Sequence, residues 1–265
     1  MNKHLPTEFV FQLASLLIAV IVVHAIYVAV IRPNANLAME EQQILLEEDS
    51  SYVPERSLFI IVRDFEQEAC FVLLVWALSI LGYKANAAIR ERRLLQLDLI
   101  PIAEGMRILP DDTRQYARQI QALPVEQQTS LLPRALLSGL QRFGATRNVQ
   151  DVSSSTHTLV VSEAERLESE LSMIRYIAWA IPSIGFIGTV RGIGAALGQA
   201  HRAVEGDISG VTQSLGVAFN STFIALLISI FLMFLVHQLQ LLQERLVFET
   251  ESYCDDHLIR HLKSG

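Results

Sequence analysis

The sequence predicts an all-α integral membrane protein: four transmembrane helices with a cytoplasmic helical domain, and both termini cytoplasmic. Three observations carry this. Hydrophobic residues make up 51% of the 265-residue chain, too many for an ordinary soluble domain. They gather into four runs, at residues 9–31, 69–83, 176–200 and 211–237. The charge between the runs is segregated, acidic after the first and basic after the second, which orients the chain across a bilayer.

Composition also excludes. The net charge of −7 is unevenly spread and gives no footprint for nucleic acid. No Gly-rich phosphate loop, zinc-spaced Cys/His cluster or nucleophile elbow is present. Neither an enzyme nor a cofactor or metal site is expected.

Residues 1–32 form the first transmembrane helix. Phe9 to Ile31 is a near-unbroken apolar run preceded by Lys3 and His4. A secretory signal has an apolar core of roughly 7–15 residues and a small-residue cleavage site, so this longer run reads as a retained span. His24 lies inside it, as a proton relay or, more plainly, as a neutral imidazole bonded to a neighbouring helix. The Pro33-Asn34 turn signal is expected to end the span.

Residues 33–68 are an acidic periplasmic segment. It holds Glu40, Glu41, Glu47, Glu48, Asp49, Glu55, Asp64, Glu66 and Glu68 against Arg56 and Arg63. These carboxylates read as a solvated face, with a cation-gathering vestibule as the functional alternative. Leu58 to Val62 is too short to cross and begins a helix that enters the bilayer near Ala69. The second span, 69–83, is followed at once by Lys84, Arg90, Arg92 and Arg93, an inside marker.

Residues 84–175 are the cytoplasmic helical domain. The expected helices are 88–100, ending at Pro101; one from the Pro110-Asp111-Asp112-Thr113 start to about Leu123; 125–143, interrupted near Pro133 and closed by Gly144; and 149–171, with Ser153 to Thr156 as a local break. Glu163, Glu165, Glu168 and Glu170 read as solvated helix surface. Cys70 and Cys254 fall on opposite sides of the membrane and cannot pair. Residues 238–265 continue the fourth span as a cytoplasmic helix striped by Leu239, Leu242, Leu246 and Tyr253. Its His257 and His261, four apart, are too few for a metal site.

Residues 176–237 are the pore-lining hairpin around which the rest is organised, with the loop His201–Gly210 outside. In its first helix Gly185, Gly188, Thr189, Gly192 and Ala196 recur at spacings of three and four; in its second, Ser214, Ala218, Ser221, Thr222, Ala225 and Ser229 do the same. Lipid tails are as apolar as leucine, so membrane helices are drawn together by close backbone approach and hydroxyl hydrogen bonds. Gly185, Gly188, Gly192, Ala218 and Ala225 are the expected packing residues, with Pro182 kinking its helix. Hydroxyls at mid-membrane in both helices predict a lined ion pathway at Thr189, Thr222, Asn220 and Ser221. The last three are consecutive and cannot all face one way; Thr222 with either Asn220 or Ser221 is expected to face the lumen or a neighbouring subunit. Threonine does not ionise at neutral pH, so a transferable proton needs an acid from elsewhere.

The stretch PSIGFIGTVRGI (Pro182 to Ile193), followed by LGVAFNSTFIALLISI (Leu215 to Ile230), resembles the MotA/TolQ/ExbB family, the ion-channel subunits of membrane motors. Pro182, Thr189 and Thr222 fall on the family's proline and two threonines, and the four-span plan is similar to the flagellar stator branch. The resemblance covers about a quarter of the chain. It implies a homopentamer in the bacterial inner membrane around a dimer of a single-span MotB/TolR/ExbD-like subunit, whose aspartate supplies the missing acid. The implied ion is H+ rather than Na+. Val217 stands where transport-type members often carry a glutamate, so this chain lacks that acid. Arg191, directly after the GTV motif, is a further departure and is expected to snorkel or to contact the partner. For Arg90 to Arg93 the resemblance adds a rotor contact as the alternative to a topogenic stop. Outside that family, the runner-up is a non-conducting scaffold assembled through small-residue seams. A small-molecule transporter fits less well, since the first two spans do not echo the last two.

Overall fold

The computed structural model describes residues 7–48, 57–101 and 106–263. Lys3, His4, Asp49, Glu55, Arg56 and the side chain of Glu47 lie outside the described residues. Within them the protein is helical, joined by one isolated backbone bridge between Ile108 and Leu262. Four helical stretches, Glu8–Leu45, Phe65–Leu94, Val149–Gly198 and Ser209–His261, are long and apolar enough to cross a membrane. The chain divides into two compact units, one of residues 1–81 and 173–236, the other of 82–172 and 237–265.

In the first unit, α1 (Thr7–Ile26) passes through a π-helical turn (Tyr27–Ile31) into α2 (Arg32–Glu48). The helix therefore continues past Pro33, where the turn signal was expected to stop it. Proline lacks a donor and its ring crowds the carbonyl four residues back. The wider π turn just before Pro33 relieves that crowding, and the Asn34 amide donates to the Val30 carbonyl at 2.7 Å. A one-turn helix, α3 (Leu58–Ile61), comes next, and a break at 62–64 separates it from α4 (Phe65–Leu94). The expected continuous approach to the second span is thus two pieces. The Trp76 indole donates to the Gln12 carbonyl of α1 at 2.9 Å.

The hairpin is α9 (Ser172–Gly198) and α11 (Ser209–His257), with the short α10 (Ala200–Val204) in its loop. Gly206, at φ 100°, makes the reversal that a residue with Cβ resists. The Ser209 hydroxyl and backbone N–H then donate to Asp207, holding its carboxyl below the usual range.

The second unit packs α5 (Thr113–Gln121), α6 (Val125–Gln128), α7 (Leu131–Thr146) and α8 (Val149–Glu170) with the ends of α4 and α11. Its core holds Ile100, Ile108, Ile120, Leu136, Leu140, Phe143, Val152 and Leu258. The helix expected over 125–143 is broken at Thr129–Ser130 rather than at Pro133. Proline is at ease in a first turn, where N–H groups have no intrahelical partner, and Pro133 sits there in α7. Nor does Gly144 end α7. Arg147, in the left-handed region at φ 54°, closes it, while a Cβ at Gly144 would come 2.9 Å from the Thr113 hydroxyl. The expected break at Ser153–Thr156 is absent, and Asn148 caps α8 by accepting from the Gln150 N–H at 2.9 Å.

Two charged groups in this unit differ from the sequence expectation. Glu163 is buried, not solvated, and lies between Arg134 and Arg166. Glu170 pairs with Lys84 at 2.7 Å and with Arg166 at 2.9 Å. Arg92 makes a two-pronged pair with Glu249, at 2.6 and 2.9 Å. The α-helix ends at His257, which stacks on Tyr253, and His261 belongs to a separate 3-10 turn, so the two histidines do not share a helix face.

Phe143 is fully buried among these residues, so Phe143→Ala should cost about 3–5 kcal/mol. Val125→Thr, at a position 77% exposed, should stay within about 0.5 kcal/mol. Denaturant unfolding of detergent-purified protein checks both.

Candidate ion pathway

The hairpin seam follows from its smallest residues. A Cβ at Gly185 would overlap the Ala225 methyl; one at Gly188 would lie 2.5 Å from Ser221 Cβ; one at Gly192 would lie 2.7 Å from Ala218 Cβ and 2.8 Å from the Ser214 carbonyl. These three glycines let α9 lie against α11 closely enough for side chains of one to reach the backbone of the other. Ala218 and Ala225 are fully buried in that seam. The small residues therefore pack the hairpin against itself.

Two threonines use that closeness reciprocally. Thr189 of α9 donates to the Ala218 carbonyl of α11 at 3.0 Å, and Thr222 of α11 donates to the Gly185 carbonyl of α9 at 3.1 Å. Each thus binds the carbonyl one helical turn before the other threonine. The two hydroxyls also touch each other. Thr189 also lies 3.4 Å from the Gly185 carbonyl, so two hydroxyl hydrogens serve four contacts and the pair can exchange which bond is made while leaving lone pairs to accept another donor. Both threonines are half-buried. Polar groups held this way at mid-helix suit a cation in transit or a protonated carboxyl.

Pro182 contributes through the bond it omits. Its nitrogen cannot donate to the Ala178 carbonyl four residues back, and the Ser229 hydroxyl of α11 donates to that carbonyl instead, at 3.0 Å. The lost bond inside one helix becomes a bond between two. Nearby, the Cys70 thiol of α4 contacts the Ile181 carbonyl at 3.6 Å.

The three consecutive polar residues face different ways, as their spacing requires. Thr222 meets Thr189. Ser221 is buried, donates to the Val217 carbonyl at 2.9 Å and accepts from the Gln67 amide at 3.3 Å. Asn220 is half-buried. Ser221 thus turns fully into the subunit, while Thr222, half-buried against Thr189, keeps part of its surface outward.

The first turn of α4 brings residues that the sequence reading left on a solvated face. Glu66, Gln67 and Glu68 reach three different neighbours. Glu66 makes a two-pronged pair with Arg191, at 2.7 and 2.8 Å, and its Cγ lies against Gly188. Gln67 donates to Ser221 and to the Ile61 carbonyl. Glu68 is only 8% exposed and is held by His24 at 2.7 Å and by Arg32, which also stacks over Phe65. Arg191 therefore has an acid within its own chain. His24 is bonded to a neighbouring helix through Glu68. The sequence did hold a signal for these pairs: an Arg and a His within apolar runs need acids, and Glu66 and Glu68 are the acids at the mouth of a span.

Comparison with known proteins adds one finding. Residues 127–252 match the family model described as the MotA/TolQ/ExbB proton channel family. That region contains α7, α8, α9 and most of α11, including both threonines, and excludes α1 and α4. No curated protein and no solved structure significantly matches the chain.

The seam makes a sharp contrast between glycines. Gly192→Ala should destabilise the hairpin by about 1–3 kcal/mol through overpacking. Gly194, with no atom near its would-be Cβ, should tolerate alanine or gain up to about 1 kcal/mol of helix stability. Thermal unfolding of the two variants in detergent compares them directly.

Proposed function

From the match of residues 127–252 to the MotA/TolQ/ExbB proton channel family, we propose that this chain is a member of that family and the channel-forming stator subunit of an ion-driven motor, coupling ion flow to rotation or force. Family membership itself implies a multi-pass, non-enzymatic membrane protein that works with MotB/TolR/ExbD-like partners. The rest of the reading is ours. Five copies surround a dimer of the single-span partner in the bacterial inner membrane, with both termini cytoplasmic. The transported ion is H+ rather than Na+.

The observation that carries this reading is the reciprocal Thr189–Thr222 pair between the two helices of the hairpin. Hydroxyls cannot store a proton at neutral pH, but they can bond a carboxyl in either protonation state. An aspartate on the partner's span supplies the acid. Charged, it favours water and cations; protonated, it can donate into the spare lone pairs of the threonine face. Alternation between the two states shifts its preferred position, and repeated events turn one component against the other. Asn220, half-buried and two residues before Thr222 in the chain, lies on the same pathway, and Arg191, half-exposed beyond its bond to Glu66, contacts the partner.

The non-conducting scaffold was to assemble through the glycine seams, and those seams are occupied within the hairpin.

The test is proton flux in liposomes holding this chain with its partner. Thr189→Val with Thr222→Val should lower flux about tenfold to a hundredfold, the worth of one or two hydrogen bonds to an ionisable group. Assembly by size exclusion should be retained. Undiminished flux in the double variant rejects the reading, and no flux from the unaltered complex favours the scaffold.

A further inference from the structure

We propose that Gln67 is part of the ion pathway, its amide oxygen forming a binding point for the hydrated ion behind the threonine pair, with Ser221 joining the two. The inference rests on the function proposed above and extends it to a residue outside the family-matched region.

Gln67 is fully buried, and its Oε1 has no hydrogen-bond partner. Buried amide oxygens are nearly always bonded, and one that is not calls for a reason. The orientation of the amide is not arbitrary. Its Nε2 lies 3.1 Å from the Ile61 carbonyl and 3.3 Å from Ser221 Oγ. Flipping the amide would set two acceptors, Oε1 and the Ile61 oxygen, against each other. The oxygen is thus held free by the bonds of the nitrogen.

Its surroundings make this a place for a cation or a water carrying one. Ser221 adjoins Thr222 in α11 and packs on Gly188, one residue from Thr189 in α9. An apolar side chain of glutamine's length would fill the same space at the mouth of a span without the desolvation cost of an amide. The neighbouring carboxylates of Glu66 and Glu68 are both engaged by cationic or imidazole partners. Their charges are thereby balanced, and Gln67 offers a neutral oxygen that can accept from a hydrated ion and release it again. Hydronium and Na+ share this chemistry, since both are bound by neutral oxygens.

The experiment is flux in liposomes holding the complete complex, driven in turn by a pH gradient and by a Na+ gradient, across external pH 5 to 8. Gln67→Met keeps length and removes the oxygen; Gln67→Glu keeps the oxygen and adds a titratable group. Met should lower flux about tenfold with assembly intact. Glu should conduct, with a pH dependence displaced from that of the unaltered complex, in which the partner's aspartate already titrates. A displaced pH dependence under the proton gradient alone assigns hydronium; a change under the Na+ gradient assigns Na+; either supports the proposal. Wild-type flux in the Met variant, or an unchanged pH profile in the Glu variant, overturns it. Loss of assembly in both variants also overturns it, because Gln67 is then a packing residue. If the threonine double variant loses flux while Gln67→Met does not, this inference fails and the proposed function stands. If neither loses flux, both fail.

Discussion

The close approach of α9 and α11 is the constraint on which the rest depends. At Gly185, Gly188 and Gly192 there is no room for a single added carbon, and only at that separation can Thr189 reach the backbone of α11 while Thr222 reaches that of α9. Between lipid tails no hydrophobic force draws two helices together, so contact must come from packing and from bonds that water does not compete for. The hairpin has both, and each needs the other. Spread the helices and the hydroxyls lose the facing carbonyls; remove the hydroxyls and the seam is a packing surface with no chemistry.

The same economy appears wherever proline interrupts a helix. Pro182 frees the Ala178 carbonyl, and Ser229 binds it from the other helix of the hairpin. Pro33 is carried by a π turn with Asn34 beside it. The Ala178 carbonyl that Pro182 orphans lies in an apolar setting, where leaving it unbonded is costly. A polar side chain nearby restores the balance. Around α4 the balance is electrostatic: charged groups at the edge of a span persist because each meets an opposite charge, Glu66 with Arg191 and Glu68 with Arg32.

How much of this was legible in the sequence depended on the range of the interaction. Local patterns were readable: apolar runs of spanning length, small residues at helical spacing, and threonines among them. Those patterns located all four long helices and the hairpin's packing residues. Signals whose meaning depends on a distant partner were not. Pro33-Asn34 looks like a turn until a π turn precedes it, and Glu163 looks solvated until Arg134 and Arg166 flank it. Glu68 is typical of an exposed acidic stretch, and only the fold shows it closing on His24 and Arg32. Gln67 carried no sequence signal at all, since its significance lies in a contact with Ser221, 154 positions away.

The central claim is that the threonine face of this hairpin receives an acid carried by another chain. Cross-linking tests it most directly, with Thr222→Cys in this chain and a cysteine one helical turn from the partner's intramembrane aspartate. Cys70 and Cys254 are buried and out of reach. The account predicts a rapid disulfide between the two chains in native membranes, suppressed when the partner's span is replaced by polyleucine. A Thr222→Cys thiol that never bridges to the partner, while exposed positions on the same helix do, would contradict it.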